Sequence, residues 1–279
     1  MIDITTFIVW GVFVGLVFSS IGAAGGILAS FGLISVLGFK DPNTVKPMAQ
    51  MLSLATALVF IPGYFKRAAW ILPLGLMLSA GGIVGAIIGS TISSLYLSDM
   101  STFKPLFGVL ALLIALQIIW KLYTDKRSGK KPARVSEEGV KNVVVNEHHI
   151  AFDYGDTSYS VHPWAPWLAG FIIAVVASIF GVGGGFLLVP YMASVLSIPM
   201  YIIPATAALA IFISGSISVS NYLRMGAEID YATLIFLIIG GIIGALLGPK
   251  LNQLMKDSWL QAALVAIVAV IGTKYVLSL

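Results

Sequence analysis

Two glycine clusters inside apolar sequence constrain this chain more than any other feature. One is Phe180-Gly181-Val182-Gly183-Gly184-Gly185-Phe186-Leu187-Leu188-Val189-Pro190, and the other is Ile21-Gly22-Ala23-Ala24-Gly25-Gly26-Ile27-Leu28. Aligned, Gly22 falls on Gly181, Gly25 on Gly184 and Gly26 on Gly185, 159 residues apart. Each glycine gives up about 1 kcal/mol of helix stability, so each cluster reads as a break in an apolar helix. A break bares backbone N–H and C=O groups. In hydrocarbon these are tolerated only where they face protein or line a cavity. Paired breaks in two halves of a membrane protein point to a transport site.

The apolar setting is clear from composition. Of 279 residues 58% are hydrophobic and 10% charged, against roughly 25% charged in a soluble domain. An integral membrane protein in contact with the lipid bilayer is expected. With no Cys, disulfides, thiolate metal sites and Cys nucleophiles are excluded. The net charge of +4 gathers in a few loops, which reads as a topology signal and not as a nucleic-acid surface. The first residues lack the basic start of a signal peptide, so this segment is expected to be retained.

Residues 4–38 are too long for one span of about 20 residues and short for two. With the glycines in the middle they fit a helix hairpin. Apolar runs follow at 48–64, 70–96 and 104–123. The segment 124–162 is polar and basic and carries β-prone stretches (Val143–Val145, Ile150–Phe152, Tyr159–Val161), so a small β-hairpin is expected there. The second half repeats the first. A broken hairpin spans 164–197, and apolar runs follow at 202–222, 231–250 and 258–277. Tyr222-Leu223-Arg224 echoes Tyr64-Phe65-Lys66, and Gly240, Gly244 and Gly248 match Gly81, Gly85 and Gly89. The expected organisation is an all-α polytopic membrane protein with a first repeat at 1–123, a linker at 124–162 and a second repeat at 163–279.

Charge sets the side of the linker. If each hairpin is re-entrant, each half has three true spans and the halves are inverted. Eleven Lys/Arg then share the linker side and five the other, placing the linker in the cytoplasm and both termini outside. If each broken segment crosses instead, the count is again eleven to five, with the halves parallel and the termini cytoplasmic. The re-entrant form is preferred, because about 12–14 residues on each side of the glycines reach only part way across. A cell (inner) membrane location is expected.

No Asp or Glu falls in the middle of an expected span, which argues against a carboxylate proton relay and a cationic substrate. A small anion fits better. Helix starts after the two breaks would present unpaired N–H groups at the positive end of a helix dipole. The candidate substrate site is Gly22, Gly25, Gly26, Gln50, Ser53, Gly181, Gly183, Gly184, Gly185 and Thr206, with no cofactor and no metal. Ser and Thr in spans commonly bond back to their own helix. Lys46 is expected at the membrane interface, snorkelling. The stripes at Gly81/Gly85/Gly89 and Gly240/Gly244/Gly248 read as close helix packing or as the face of a homodimer. His148 and His149 read as solvated linker. No His/Glu cluster or Ser–His–Asp set is present, so an enzyme is not expected.

At Gly181-Val-Gly-Gly-Gly-Phe-Leu-Leu-Val-Pro190 the chain resembles the TauE/SafE family of sulfite and organosulfonate exporters. The resemblance continues through Pro199-Met200, Ala205-Thr206, Tyr222, Gly226, Asp230 and Gly240-Gly241-Ile-Ile-Gly244-Ala245, and covers both halves. It implies a permease exporting sulfite, sulfoacetate or a related sulfonate. The sequence departs from the family at Ala205-Thr206-Ala207 and Met48-Ala49-Gln50, where a Gly-Thr-Ser stretch is common. A permease for another anion such as a carboxylate, or a non-transporting scaffold, is the alternative.

Overall fold

The computed structural model describes residues 4–21, 25–65, 70–128, 139–146, 149–155, 157–199, 202–254 and 257–277. They form helices α1 (Ile4–Ile21), α2 (Gly25–Phe31), α3 (Pro42–Phe65), α4 (Leu72–Tyr96) and α5 (Met100–Ser128). Then come strands β1 (Val140–Val145), β2 (Ile150–Tyr154) and β3 (Thr157–Val161). The second half holds α6 (Trp164–Phe180), α7 (Gly185–Pro190), α8 (Ile203–Arg224), α9 (Tyr231–Leu254) and α10 (Asp257–Val276). A π-helical turn follows α2 at Gly32–Val36 and another follows α7 at Tyr191–Val195.

Among the described residues four helices are long and apolar enough to cross a membrane: Leu72–Tyr96, Met100–Trp120, Ala205–Arg224 and Tyr231–Gly248. Their outward faces are apolar, including Ile83, Val84, Ile87 and Ile88 on α4 and Ile239, Ile242, Ile243 and Leu246 on α9. Such faces suit lipid and not water. The acidic residues at helix ends act as caps. Asp41 accepts from the Asn43 N–H at 2.9 Å and the Thr44 hydroxyl at 2.9 Å at the start of α3. Asp230 accepts from the Thr233 N–H at 3.0 Å and hydroxyl at 2.7 Å at the start of α9. Each satisfies N–H groups that have no intrahelical partner.

The hairpin arms are unequal. The first arm, α1, has 18 residues and rises about 27 Å. The second, α2 with its π turn, has 7 and 5 residues and reaches about 17 Å. Arms of matched length, expected from the sequence, are therefore not what forms: one arm approaches the full membrane thickness and the other does not. The two arms fold back on each other. Trp10 Nε1 donates to the Leu28 carbonyl at 3.3 Å, and Gly25 packs against the Phe18 ring.

The glycine stripes explain how the halves interlock. Gly81, Gly85 and Gly89 of α4 lie against the backbone carbonyls of Trp167, Phe171 and Val175 on α6. Gly240 and Gly244 of α9 lie in the same way against Ile8 and Val12 of α1. Gly170 meets the Leu78 carbonyl, and Gly11 meets that of Leu237. Apart from Gly89–Val175, each of these pairs maps onto its counterpart by the same 159-residue step. These stripes are filled within one chain, so they are not free to serve as a dimer face.

Contact order gives helix direction. α1 runs parallel to α9 and α4 parallel to α6, as the pairs above show. α4 also runs parallel to α8, with Gly75 beside Thr206 and Gly82 beside Ser214. α3 opposes α8: Lys46 lies near Tyr222 and Leu54 near Gly215. The turn at 225–230 is too short to let α9 start at the far end of α8, so α8 and α9 run oppositely. It follows that α1 and α6, the first helices of the two halves, point in opposite directions.

The linker forms three antiparallel strands in the order β1-β2-β3 where one hairpin is expected. Ile150 pairs with Val161 and Tyr154 with Thr157. A register shift between Lys141 and Val144 interrupts the β1 pairing. Phe152, Tyr154 and Val161 are buried in one cluster with Ile71, Leu74, Leu188, Met192 and Ile203, so the sheet is seated on α4, α7 and α8.

Candidate functional site

The two breaks meet. A β-carbon on Gly26 would collide with the backbone of Val182, including its carbonyl oxygen. The tip of one hairpin therefore rests directly on the tip of the other. Gly181 ends α6 in the left-handed region (φ 69°). There the Val182 N–H bonds the Ala177 carbonyl at 3.1 Å, the closing bond of a Schellman cap. Gly181 also lies against the backbone of Lys46, leaving no room for a side chain. Gly183 (φ 70°) faces open space, and Gly184 is in ordinary contact with Ile173, Ile211 and Ala177. Gly185 begins α7 and is buried. Gly25 and Gly26 are buried at the start of α2. Gly22 lies outside the described residues.

Three successive carbonyls of the last turn of α6 take hydrogen bonds from three other helices. Gln50 Nε2 of α3 donates to Ala177 O at 3.4 Å. Tyr222 Oη of α8 donates to Ser178 O at 2.7 Å. Ser93 Oγ of α4 donates to Ile179 O at 2.6 Å. A helix end in an apolar interior leaves carbonyls without partners; Tyr222 and Ser93 supply them, and Gln50 adds a further bond at Ala177. Ser93 and Tyr222 lie outside the candidate set read from the sequence. The signal available was the recurrence of Tyr64 as Tyr222 with a basic residue two positions on.

Lys46 departs from expectation. Its side chain is fully buried inside the protein. Nζ donates to Leu97 O at 2.7 Å, Ser93 O at 3.3 Å and Asn43 Oδ1 at 3.3 Å. It also sits 5.0 Å from the Phe103 ring centroid. The cation is held at the carbonyl end of α4, where the helix dipole favours positive charge. It ties the start of α3 to the α4–α5 turn and does not snorkel.

Of the polar candidates, Gln50 is brought to the junction of the breaks. Ser53 Oγ donates back to Ala49 O at 2.9 Å. Thr206 Oγ1 accepts from the Ile71 N–H at 3.0 Å and donates to Ile202 O at 3.1 Å. Both hydroxyls are engaged within the helix framework.

The exits of the hairpins match as closely as their glycines. Leu37 N bonds Gly32 O at 2.8 Å and Leu196 N bonds Tyr191 O at 3.2 Å. Phe39 N bonds Leu33 O at 2.9 Å and Ile198 N bonds Met192 O at 3.0 Å. Gly38 (φ 74°) and Ser197 (φ 54°) take the same left-handed turn. All three pairs are 159 residues apart.

Residues 7–275 match the family model described as Sulfite exporter TauE/SafE. The chain belongs to the TauE/SafE family. It is 24% identical over 275 residues to the Probable membrane transporter protein YunE of Bacillus subtilis (strain 168), covering 96% of each chain. It is 26% identical over 242 residues to a Probable membrane transporter protein of Xylella fastidiosa (strain 9a5c), covering 86% of this chain and 82% of that one. No solved structure matches it. As a TauE/SafE member it is a membrane transporter. Within this family framework, the paired breaks, Gln50 and the anchored end of α6 form the candidate site.

Proposed function

We propose that the protein exports a small sulfur-containing anion, such as sulfite, sulfoacetate or a related organosulfonate. The substrate would be held between the two glycine breaks and passed across the inner membrane by alternating access. The observation that carries this reading is the contact of two oppositely directed helix breaks at Gly26 and Val182. In broken-helix transporters such breaks supply binding groups where a continuous helix cannot. The halves are read as inverted repeats with re-entrant hairpins, the opposite directions of α1 and α6 supporting the inversion. The linker at 124–162 is assigned to the cytoplasm, and both termini to the outside. The positive end of each post-break helix and the lack of carboxylates in the spans suit an anion.

The test is flux in reconstituted liposomes, with thermal shift in detergent beside it. Sulfite, sulfoacetate, taurine and a carboxylate control would be compared on the parent and on Gly184→Leu. A ligand that binds the folded state raises Tm by mass action. Flux of a sulfur anion that Gly184→Leu abolishes supports the reading. Flux of the carboxylate alone would reassign the substrate, and a protein that moves none of them would leave the scaffold alternative.

A further inference from the structure

Gln50 is 2% exposed, and its two amide atoms have different fates. Nε2 donates to Ala177 O. Oε1 is buried with no hydrogen-bond partner. The orientation of the amide is set by chemistry, since a carbonyl oxygen at Ala177 can only be met by the NH₂ group. Nε2 keeps a second N–H, and Oε1 is an acceptor with no partner of its own. A buried acceptor left unpaired costs about 1–3 kcal/mol, and such a group in a native fold calls for an explanation.

Its position supplies one. Ala177 O also takes the Val182 N–H, and the Val182 backbone is the surface on which Gly26 rests. Gln50 thus stands at the meeting point of the breaks, and Val182 is followed by Gly183, where the backbone has open space beside it. The neighbouring hydroxyls of Ser93 and Tyr222 are spent on Ile179 O and Ser178 O. Of these three side chains only Gln50 has a polar atom with no hydrogen-bond partner, its Oε1.

We propose that Gln50 selects substrates that carry a hydrogen-bond donor beside their anionic group. This rests on the substrate site proposed above. Hydrogen sulfite has such a donor and the sulfite dianion does not. A hydroxy- or amino-alkylsulfonate has one and a plain alkylsulfonate does not. Gln50 Oε1 accepts from that donor.

The experiment compares liposome flux of 2-hydroxyethanesulfonate with that of ethanesulfonate, which differs by one oxygen atom. The parent should favour the hydroxylated compound by about three- to tenfold, the size of one buried hydrogen bond. Gln50→Met keeps the length and removes the acceptor. It should bring the ratio close to one while ethanesulfonate flux persists. Gln50→Glu keeps the shape and adds negative charge, so it should raise flux of 2-aminoethanesulfonate relative to the hydroxy compound. This second variant tests the assignment even if Gln50→Met does not fold. Equal flux of both sulfonates by the parent overturns the role of Gln50 and leaves the transport reading intact. So does an equal fall of both in Gln50→Met, which would mark Gln50 as a purely structural anchor. Failure of the parent to move any sulfonate or sulfite overturns the transport reading and this assignment together.

Discussion

Gly26 and Gly184 are both break glycines, yet a methyl group would meet different surroundings at each. At Gly26 it would run into the Val182 backbone, which cannot swing aside. At Gly184 the nearest atoms, on Ile173, Ile211 and Ala177, are 3.5–4.0 Å away and φ is −79°. Gly26→Ala should therefore destabilise the protein by about 1–3 kcal/mol through overpacking, while Gly184→Ala should stay within about 0.5 kcal/mol. Thermal unfolding in one detergent compares them directly. Ser197 gives a prediction of the opposite sign. It adopts φ 54° where its counterpart in the first half is Gly38. The left-handed region costs a residue with a β-carbon roughly 1–2 kcal/mol, and glycine returns part of that through a freer unfolded chain. Ser197→Gly should raise stability by up to about 1 kcal/mol in the same assay.

Among the elements, α6 shows how a helix can stop inside an apolar body. Its last turn is anchored by Gln50, Tyr222 and Ser93, one each from α3, α8 and α4. Tyr222→Phe removes a 2.7 Å bond from a fully buried ring and should cost about 1–2 kcal/mol. Its effect should be non-additive with Ser93→Ala, because both hold the same turn. A double-mutant cycle on Tm reads that coupling, and strict additivity would mean that the turn is not one unit. The linker sheet has its own device at Asp153. Hydrogen bonds from Ser158, and then from Asn142, hold its carboxyl below the usual carboxylate range. These bonds therefore support the sheet above the pKa of the unfolded carboxyl and are lost as pH falls through the depressed folded value. Asp153→Asn should remove this acid sensitivity, seen as hydrogen exchange of the β2–β3 amides after correction for the intrinsic pH dependence.

For the molecule as a whole, the two halves are held together by exchange. The first arm of each hairpin lies along the fourth helix of the other half, α1 on α9 and α6 on α4, through glycine-to-carbonyl contacts. Such close approach is how small residues join helices where lipid gives no hydrophobic drive. The chain has no Cys, so single cysteines can map its sidedness. Ser98 lies in the exposed α4–α5 turn and Val144 on the exposed face of β1, separated by the length of α5. In intact cells a membrane-impermeant maleimide should label Ser98→Cys. Val144→Cys should be labelled only after permeabilisation. The reverse result would invert the assigned topology.

The sequence by itself determined the membrane character, the break positions, the element order and the glycine stripes. Each of these follows from local chemistry: apolar length, the helix cost of glycine, the 159-residue recurrence. It also kept Asp and Glu out of the middle of the expected spans, and the structure finds Asp41 and Asp230 capping helix starts. It did not reveal that Lys46 is buried at the end of α4, or that Ser93 and Tyr222 anchor α6, because those bonds join residues far apart in the chain. Charge counting left the direction of the halves open at eleven to five in either topology. The tertiary contacts set α1 and α6 in opposite directions and so support the inverted reading, since a charge count reads the loops and not which helix lies beside which. The same is true of Gln50. Only the packed junction shows one of its amide hydrogens spent on Ala177 and its oxygen left without a partner.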